Sequence, residues 1–244
     1  MKYIETSKPA MIAQNVENIL QRVAFTCTKA GRKPEEVTLI GVAKTFTSEA
    51  VGELVHAGVL DVGENYVQEL QEKHRALNDE RIRWHFIGHL QSNKVKNIAP
   101  WIHMIHAVDS VSLGEEISKR AEQSGRVIPI LIEVNTTGEQ SKFGAAPEAV
   151  MGLAKDLMRF PHINVTGLMT IGPFLPDPEQ SRPAFRMLNE LRQHLRQDGF
   201  TLPHLSMGMT NDFEVAIEEG ATLVRVGTAI FGKRIKHNST ISGQ

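Results

Sequence analysis

Eight short apolar runs alternate with segments of helical periodicity along this chain, and this alternation constrains the fold more than any other feature. Strands that are almost continuously apolar are typical of parallel sheets covered on both faces. The pattern predicts an α/β fold with a single (β/α)8 TIM barrel, and eight strands favour it over the alternative, an open doubly wound sheet. The predicted strands are Val37–Val42, Val59–Val62, Trp84–Ile87, Met104–Val108, Ile128–Val134, Val165–Met169, His204–Met207 and Thr222–Val226.

Six segments before and between these strands are predicted to be helical. An extra N-terminal helix is predicted over residues 8–30, with Pro9 at a favoured first position. A second helix, Ser112–Glu122, opens with the capping-box pattern of Ser112 and Glu115. The remaining predicted helices are Asn93–Ala99, Pro147–Met158, Ser181–Asp198 and Phe213–Glu219.

The composition indicates a globular protein of the cytoplasm. No linker rich in Pro, Gly and Ser divides the 244 residues, so we expect one domain over residues 1–234 and a mobile tail over 235–244. The 27 basic and 28 acidic residues leave a formal charge of −1, which argues against nucleic acid or an anionic membrane as the main partner. The single cysteine, Cys27, allows no internal disulfide, and the sequence shows no signal peptide or membrane-spanning run.

The end of the first predicted strand carries the first candidate functional residue, Lys44. Functional side chains of such barrels lie where the strands end, so this lysine would stand in the barrel mouth. Partial removal from water would lower the pKa of its ammonium group toward the range where the free amine attacks a carbonyl. The alternative is that Lys44 begins a solvated loop, since most lysines are surface residues.

The last predicted strand contains an arginine, Arg225, inside an apolar run. A buried guanidinium without a partner is costly, so Arg225 needs either a carboxylate or a ligand atom. Gly227 and Thr228 follow and let the backbone approach a ligand. The loops after strands seven and eight form the usual phosphate site of this fold, and the loop Ser206–Asp212 adds hydroxyl groups and a helix N-terminus. The alternative is that Asn211 or Asp212 only caps the next helix, Phe213–Glu219.

Two other motifs do not predict a function. Gly227–Lys233 has the spacing of a nucleotide P-loop, but Arg234 stands where a Ser or Thr would bind magnesium. His85 and His89 are four residues apart, but on a strand that runs into a turn this spacing does not place them on one face. We therefore predict no metal site.

Eight further motifs are spread through the chain: Gly41–Thr45 (GVAKT), Gly63–Glu69 (GENYVQE), Trp84–Lys94 (WHFIGHLQSNK), Glu133–Asn135 (EVN), Gly138–Gly144 (GEQSKFG), Gly167–Gly172 (GLMTIG), Leu205–Asp212 (LSMGMTND) and Arg225–Gly232 (RVGTAIFG). Together they resemble the pyridoxal-phosphate homeostasis protein family, over residues 8–234. One departure is visible at Thr210, where serine is more usual, but the hydroxyl group is retained.

The resemblance implies a fold like the N-terminal domain of bacterial alanine racemase, with pyridoxal 5′-phosphate (PLP) as the cofactor. It implies that Lys44 holds PLP as a Schiff base and that Arg225 faces the pyridine nitrogen. It assigns the phosphate site to Ser206 and to the amides and hydroxyl of Gly227 and Thr228.

The same resemblance assigns Asn65 and Met169 to positions beside the cofactor ring and puts His85 in the barrel mouth. An arginine cannot give up its proton in a protein, so the ring beside it is a poorer electron sink than one held by an aspartate. The resemblance therefore implies restrained chemistry at this cofactor.

The predicted function is PLP binding in intracellular vitamin B6 homeostasis, without significant catalysis and with no catalytic residue assigned. The alternatives are a PLP-dependent amino-acid racemase and an aldolase in which Lys44 attacks a sugar phosphate. Alanine racemase takes a tyrosine base from a second domain, whereas Tyr3 precedes the barrel here and Tyr66 is poorly suited. The predicted partners are PLP and the PLP-dependent apoenzymes that receive it, and we expect a monomer.

Overall fold

The computed structural model describes residues 8–139 and 141–232, without the side chains of residues 8–10, and contains a closed barrel of eight parallel strands. Neighbouring strands pair in chain order, and the eighth pairs with the first. The TIM-barrel prediction is confirmed, and the open doubly wound sheet is wrong. The strands are β1 (Thr38–Val42), β2 (Asp61–Glu64), β3 (Arg83–Phe86), β4 (Met104–Val108), β5 (Ile128–Glu133), β6 (Ile163–Met169), β7 (His204–Ser206) and β8 (Leu223–Val226).

Helices precede β1 and follow most of the strands. The α-helices are α1 (Lys8–Lys29), α2 (Ser48–His56), α3 (Val67–Leu77), α4 (Val111–Gln123), α5 (Val150–Leu157), α6 (Arg182–Gln197), α7 (Phe213–Glu218) and α8 (Thr228–Phe231). Between β3 and β4 the chain forms a 3-10 helix, Ser92–Asn97, where the sequence predicted the helix Asn93–Ala99. Shorter 3-10 turns cover Pro34–Glu36, Pro147–Ala149 and Pro178–Ser181.

The start of α4 differs from the sequence prediction. The helix begins at Val111, and Ser110 is its N-cap residue, with an extended backbone at φ −150° and ψ 153°. Ser112 lies inside the first turn, so the capping box predicted for Ser112 and Glu115 is wrong. β4 ends at Val108 and only two residues form the turn, so the helix starts one residue earlier than predicted and its N-cap lies two residues earlier, at Ser110.

Side chains along each strand alternate between the barrel interior and the layer between sheet and helices. In β8, Leu223 belongs to a small interior cluster, whereas Val224 and Val226 belong to the large cluster beneath the helices. Arg225 shares the inward parity of Leu223, so its guanidinium enters the barrel. The interior apolar cluster consists of Ile40, Met104, Ala107, Leu131, Met169 and Leu223.

The N-terminal helix α1 packs on α2, α7 and α8, on the outside of the barrel. Within the described ranges, no helix has the length and apolar character needed to cross a membrane. Some features named from the sequence lie outside the described residues: Tyr3, the ends of the P-loop-like motif at Lys233 and Arg234, and the tail over residues 235–244.

Candidate functional site

Lys44 lies two residues after β1, at the carboxyl end of the barrel, and is partly buried. The next residue, Thr45, has a φ of 68°, a left-handed conformation that β-branched residues rarely adopt. Such strain persists only where the surrounding structure holds it, and it is common beside functional groups. The backbone is therefore held in an unusual conformation directly after the candidate lysine.

Arg225 is buried in the barrel, with 4% of its surface exposed. Its Nη1 donates to Ser206 Oγ at 2.6 Å, and its Nη2 donates to the Thr170 carbonyl at 2.9 Å. Among the described residues its direct partners are thus neutral, and not the carboxylate considered from the sequence. Burial lowers the pKa of Arg225 to about 10, while the charges of Glu133 and Asp212 oppose the shift. The guanidinium remains a cation at neutral pH.

Ser206 ends β7 and is completely buried. Its hydroxyl group accepts from Arg225 and lies 3.0 Å from His106 Nδ1. The resemblance assigned Ser206 to the phosphate site. In the structure this hydroxyl group lies inside the barrel between Arg225 and His106, and its assignment to the phosphate site stays a prediction.

A chain of hydrogen bonds continues from Ser206 to the amino end of the barrel. His106 Nε2 lies 3.0 Å from His85 Nδ1, and His85 Nε2 lies 3.0 Å from Asp61 Oδ1. Asp61 is the first residue of β2, and Arg83 donates to both of its carboxylate oxygens. The interior polar groups therefore form one continuous path along the barrel.

When both imidazole rings are neutral, the Asp61 carboxylate determines which atom donates in each hydrogen bond of this path. A carboxylate only accepts, so His85 donates from Nε2 to Asp61 and its Nδ1 accepts from His106 Nε2. His106 Nδ1 is then the acceptor for the Ser206 hydroxyl. Burial, with the nearby His85, lowers the pKa of His106 well below its usual range. Burial alone would raise the pKa of Asp61, but hydrogen bonds from His85 and Arg83 lower it to about 2.

One residue of this path, His85, was a candidate from the sequence but lies elsewhere than expected. Two others, His106 and Asp61, were not candidates. His85 is buried in the interior with both ring nitrogens engaged, and not in the mouth where it was expected. His106 carried a usable signal, since it is a polar residue inside the apolar run MIHAV, as Arg225 is in its own run. Asp61 carried no such signal, because it is the first residue of β2, and the strand predicted from the sequence began two residues earlier, at Val59.

The loops after β7 and β8 meet at Thr210. Its Oγ1 lies 3.4 Å from the Gly227 amide nitrogen and 3.5 Å from the Ala229 amide nitrogen. Thr228, the first residue of α8, is exposed beside them. A Cβ on Gly227 would lie 3.2 Å from the Val42 carbonyl oxygen, so glycine suits this close approach. Two hydroxyl groups and adjacent amides at one point are suited to an anion such as a phosphate.

Asp212 holds the loop that carries Thr210. Its carboxylate accepts from the Met209 amide at 2.7 Å and from Ser181 Oγ at 2.9 Å. Asn211 Nδ2 donates to carbonyl groups of the loop after β6. Asp212 occupies the N-cap position of α7 but makes no side-chain capping bond, so the capping alternative is wrong for both side chains.

Three more strand ends complete the mouth. Asn65 follows β2, Glu133 ends β5 and Met169 ends β6, where Met169 pairs with Glu133 on one side and Ser206 on the other. Asn65 Oδ1 and Glu133 Oε2 are buried without a hydrogen-bond partner among the described residues. Because nearly all buried polar groups in proteins are paired, these two oxygens indicate partners that a ligand or water would supply.

Glu133 was part of the EVN motif but was not a candidate residue from the sequence. Burial raises the pKa of its carboxyl group to about 7; Asp109 adds to this shift and Arg225 opposes it. The charge of this group therefore changes near neutral pH, at the edge of the barrel mouth.

His85 and His89 do not come together as a pair of ligands. His89 stacks on Phe143, with ring centroids 3.9 Å apart, whereas His85 is engaged within the barrel. The described part of the chain contains no group of three or more His, Cys, Asp or Glu residues that could hold a metal ion.

A surface hollow of about 550 Å³ lies between α1 and α7, away from the strand ends. Its charged side chains pair across the two helices, Arg22 with Glu214 and Lys29 with Glu218. It is therefore a polar groove between helices and does not contribute to the candidate site.

Replacing Glu133 by Gln tests its raised pKa. The pKa of this carboxyl group rises on folding from 4.5 to about 7, so the folded state binds the proton more tightly. The stability gained from this protonation is lost as the pH rises from about 4.5 to about 7. We expect Glu133→Gln to increase the free energy of unfolding at about pH 8 relative to about pH 5, by up to about 3 kcal/mol. Urea unfolding at both pH values measures the difference.

Glu190→Gln, on an exposed position of α6, is the matched control and should change neither value. An equal change for Glu133→Gln at the two pH values would contradict the raised pKa.

The comparisons with known proteins agree with this geometry. The profile of the family described as "Alanine racemase, N-terminal domain" matches residues 14–235. The pyridoxal phosphate homeostasis protein of Aquifex aeolicus (strain VF5) is 46% identical to this chain over 222 residues, which are 91% of this chain and 97% of that protein.

Two solved structures are similar over nearly the whole chain. An unknown protein from Bifidobacterium adolescentis is 36% identical, with a TM-score of 0.87 over 95% of this chain and 98% of its own. PipY of Synechococcus elongatus PCC7942, solved with PLP bound, is 30% identical, with a TM-score of 0.79 over 91% of this chain and 100% of its own. This chain therefore belongs to the alanine racemase N-terminal domain family, together with relatives named pyridoxal phosphate homeostasis proteins.

Proposed function

We propose that this protein binds PLP in the barrel mouth, holds it covalently through Lys44, and serves intracellular vitamin B6 homeostasis without catalysing an amino-acid reaction. The observation that carries the proposal is the convergence of an amine, a buried guanidinium and a hydroxyl-and-amide cradle at the strand ends. The similarity to homeostasis proteins and to a PLP-bound PipY supports it.

The residues at the mouth fit this cofactor. Bound PLP would supply an aldehyde that an amine can attack, an electron-withdrawing pyridine ring and a phosphate group. The unpaired oxygens of Asn65 and Glu133 lie beside positions that such a polar ligand would occupy. The Gly227 and Ala229 amides make only long contacts with Thr210 Oγ1, at 3.4 and 3.5 Å, which a bound anion would replace.

Lys44 contributes the amine. Its place after β1, at the carboxyl end of the barrel, supports attack on a carbonyl carbon. Asn65 and Met169 are proposed to lie beside the ring. In this proposal His85 does not contact PLP; it supports Arg225 through the hydrogen bonds of His106 and Ser206.

Thr210, Thr228 and the amides at Gly227 and Ala229 are proposed to bind the phosphate. Thr210 is added to the assignment that the resemblance gave, in which Ser206 stays a prediction; in this structure the Ser206 hydroxyl contacts Arg225 and His106. Thr210 Oγ1 is instead close to both amides.

Arg225 is proposed to face the pyridine nitrogen and to leave it unprotonated. The guanidinium keeps its proton at neutral pH, and Ser206 and Thr170 hold its orientation. Electron withdrawal by the ring is then weak, which disfavours removal of a proton from a bound amino acid. Tyr66, at the start of α3, is 57% exposed, so it is not a buried facing base. An exposed mouth suits a protein that retains PLP and passes it to PLP-dependent apoenzymes.

Lys44→Ala tests the covalent attachment. We expect wild-type protein, mixed with PLP and reduced with borohydride, to carry a pyridoxyl group on Lys44, and Lys44→Ala to carry none while remaining folded. Peptide mass analysis and circular dichroism measure the two outcomes. Lys94→Ala is the control and should retain the adduct. A wild-type adduct on Lys94 or Lys142 would make the assignment wrong.

Thr210→Val tests the phosphate site. A hydrogen bond to a charged group contributes about 1.5–3 kcal/mol, so we expect Thr210→Val and Thr228→Val each to weaken PLP binding about ten- to a hundredfold. Equilibrium dialysis in a Lys44→Ala background measures the reversible affinity, with Thr201→Val in the loop before β7 as the control. Unchanged affinity in the double variant would show that the phosphate binds elsewhere.

Proton exchange tests the absence of catalysis. We expect PLP-loaded protein in heavy water to exchange the α-proton of alanine or serine at no more than a trace rate, because a positioned general base contributes about 10²–10⁴-fold and, in the described part of the chain, no tyrosine is buried in the mouth. Mass analysis and chiral chromatography follow the reaction. Rapid exchange with inversion that depends on Lys44 would establish the racemase alternative.

A further inference from the structure

Lys73, on α3, is a second lysine at the mouth and is not part of the proposed PLP contacts. Its side chain is buried, and its ammonium group contacts three oxygens. Nζ donates to the Ala43 carbonyl at 2.8 Å, to Glu69 Oε2 at 3.1 Å, and to Glu64 Oε1. An ammonium group has three protons, so all of its donors are used and it is not available as a nucleophile.

The contacts of Lys73 and Glu69 fall on the two peptide groups that flank Lys44. The Ala43 carbonyl belongs to the peptide before Lys44 and accepts directly from Lys73. The Thr45 amide belongs to the peptide after Lys44 and donates to Glu69 Oε2 at 2.7 Å. One carboxylate oxygen of Glu69 therefore contacts both Lys73 and the backbone beyond Lys44.

Glu64 ties this cluster to the barrel wall. It is the last residue of β2 and is fully buried, and its Oε1 forms an ion pair with Lys73. Its Oε2 also accepts from the Asn65 amide at 3.3 Å. The arrangement of Lys73, Glu64 and Glu69, called the Lys73 clamp below, thus joins the backbone at Lys44 to the backbone at Asn65.

The strained residue lies within reach of the clamp. Thr45 has a φ of 68°, and a β-branched residue keeps this conformation only when its surroundings hold it. The hydrogen bond from the Thr45 amide to Glu69 supplies such a restraint, and Lys73 holds Glu69 in place. If the restraint were lost, Thr45 could relax and turn the direction in which the Lys44 side chain leaves the backbone.

We propose that Lys73 is a positioning residue, which with Glu64 and Glu69 fixes the two peptides around Lys44 and so aims its amine into the barrel mouth. The proposal rests on the proposed function, because it gives Lys44 the role of the attacking amine. A misplacement of about 1 Å at a reacting group costs on the order of a hundredfold in rate, so orientation at this point matters.

The test uses the double variant Lys73→Met/Glu64→Gln. Removing Lys73 alone would leave a buried, unpaired carboxylate and could unfold the protein, whereas the double variant removes both charges. Arg182→Met is the matched control, because Arg182 also contacts three carboxylates, of Glu179, Glu218 and Glu219, but at α6 and away from Lys44. Lys73→Arg is the conservative variant.

Two readouts separate orientation from stability. The first is the rate at which PLP becomes attached to Lys44, and we expect a decrease of about tenfold or more in the double variant and none in Arg182→Met. Partial recovery is expected in Lys73→Arg. The second is the rate at which acetic anhydride labels Lys44 in protein without PLP, which we expect to differ from wild type only when the clamp is removed. Reversible PLP affinity in a Lys44→Ala background should stay unchanged.

Wild-type rates for both readouts in the folded double variant would overturn the proposal. So would an equal loss in Arg182→Met, because that result indicates a general effect of stability. If wild-type protein takes no pyridoxyl group on Lys44, the proposed function fails. The rate of labelling by acetic anhydride then tests the role of the Lys73 clamp by itself, since this rate depends only on the surroundings of Lys44.

Discussion

Placing a guanidinium inside a parallel barrel is the constraint on which the rest of the interior depends. The inward parity of β8 brings Arg225 away from water, so its protons need acceptors that the barrel itself supplies. Thr170 and Ser206 accept them, and the Ser206 hydroxyl then needs an acceptor of its own. The path continues through two histidines and ends on Asp61, whose charge Arg83 balances at the amino end of the barrel. A cluster of six apolar side chains fills further positions in the interior.

Different elements of the fold restrain different groups at the barrel mouth. Inside the barrel, neutral partners hold the Arg225 guanidinium. The loops after β7 and β8 bring hydroxyl groups and amides together around Thr210. α3 contributes a buried ion cluster that reaches the backbone on both sides of Lys44. Each part restrains a group, and among the described residues none supplies a buried tyrosine base facing the mouth.

Much of this architecture was predictable, because apolar runs and their alternation with helical periodicity are local properties of the sequence. The eight apolar runs matched the eight strands to within a few residues, and Lys44, Arg225 and Gly227 lie at strand ends as predicted. The errors arose where one sequence pattern fits two geometries. A Ser–x–x–Glu pattern fitted Ser112, but the length of the turn made Ser110 the cap. Ser206 and Thr210 both carry hydroxyl groups at the end of β7 or just after it, and only the structure shows their different hydrogen-bond partners.

The sequence by itself determined the barrel, the cofactor class implied by its motifs, and the positions of the amine and the guanidinium, because these follow from periodicity and from residues next to one another in the chain. Only the tertiary structure decided which side chains meet. His106 and Ser206 are a hundred residues apart, and Lys73 contacts Ala43 thirty residues away. Their contacts arise from closure of the barrel and from the docking of α3 at its mouth. The raised pKa of Glu133 has the same origin, since burial and the nearby charges of Asp109 and Arg225 exist only in the folded chain.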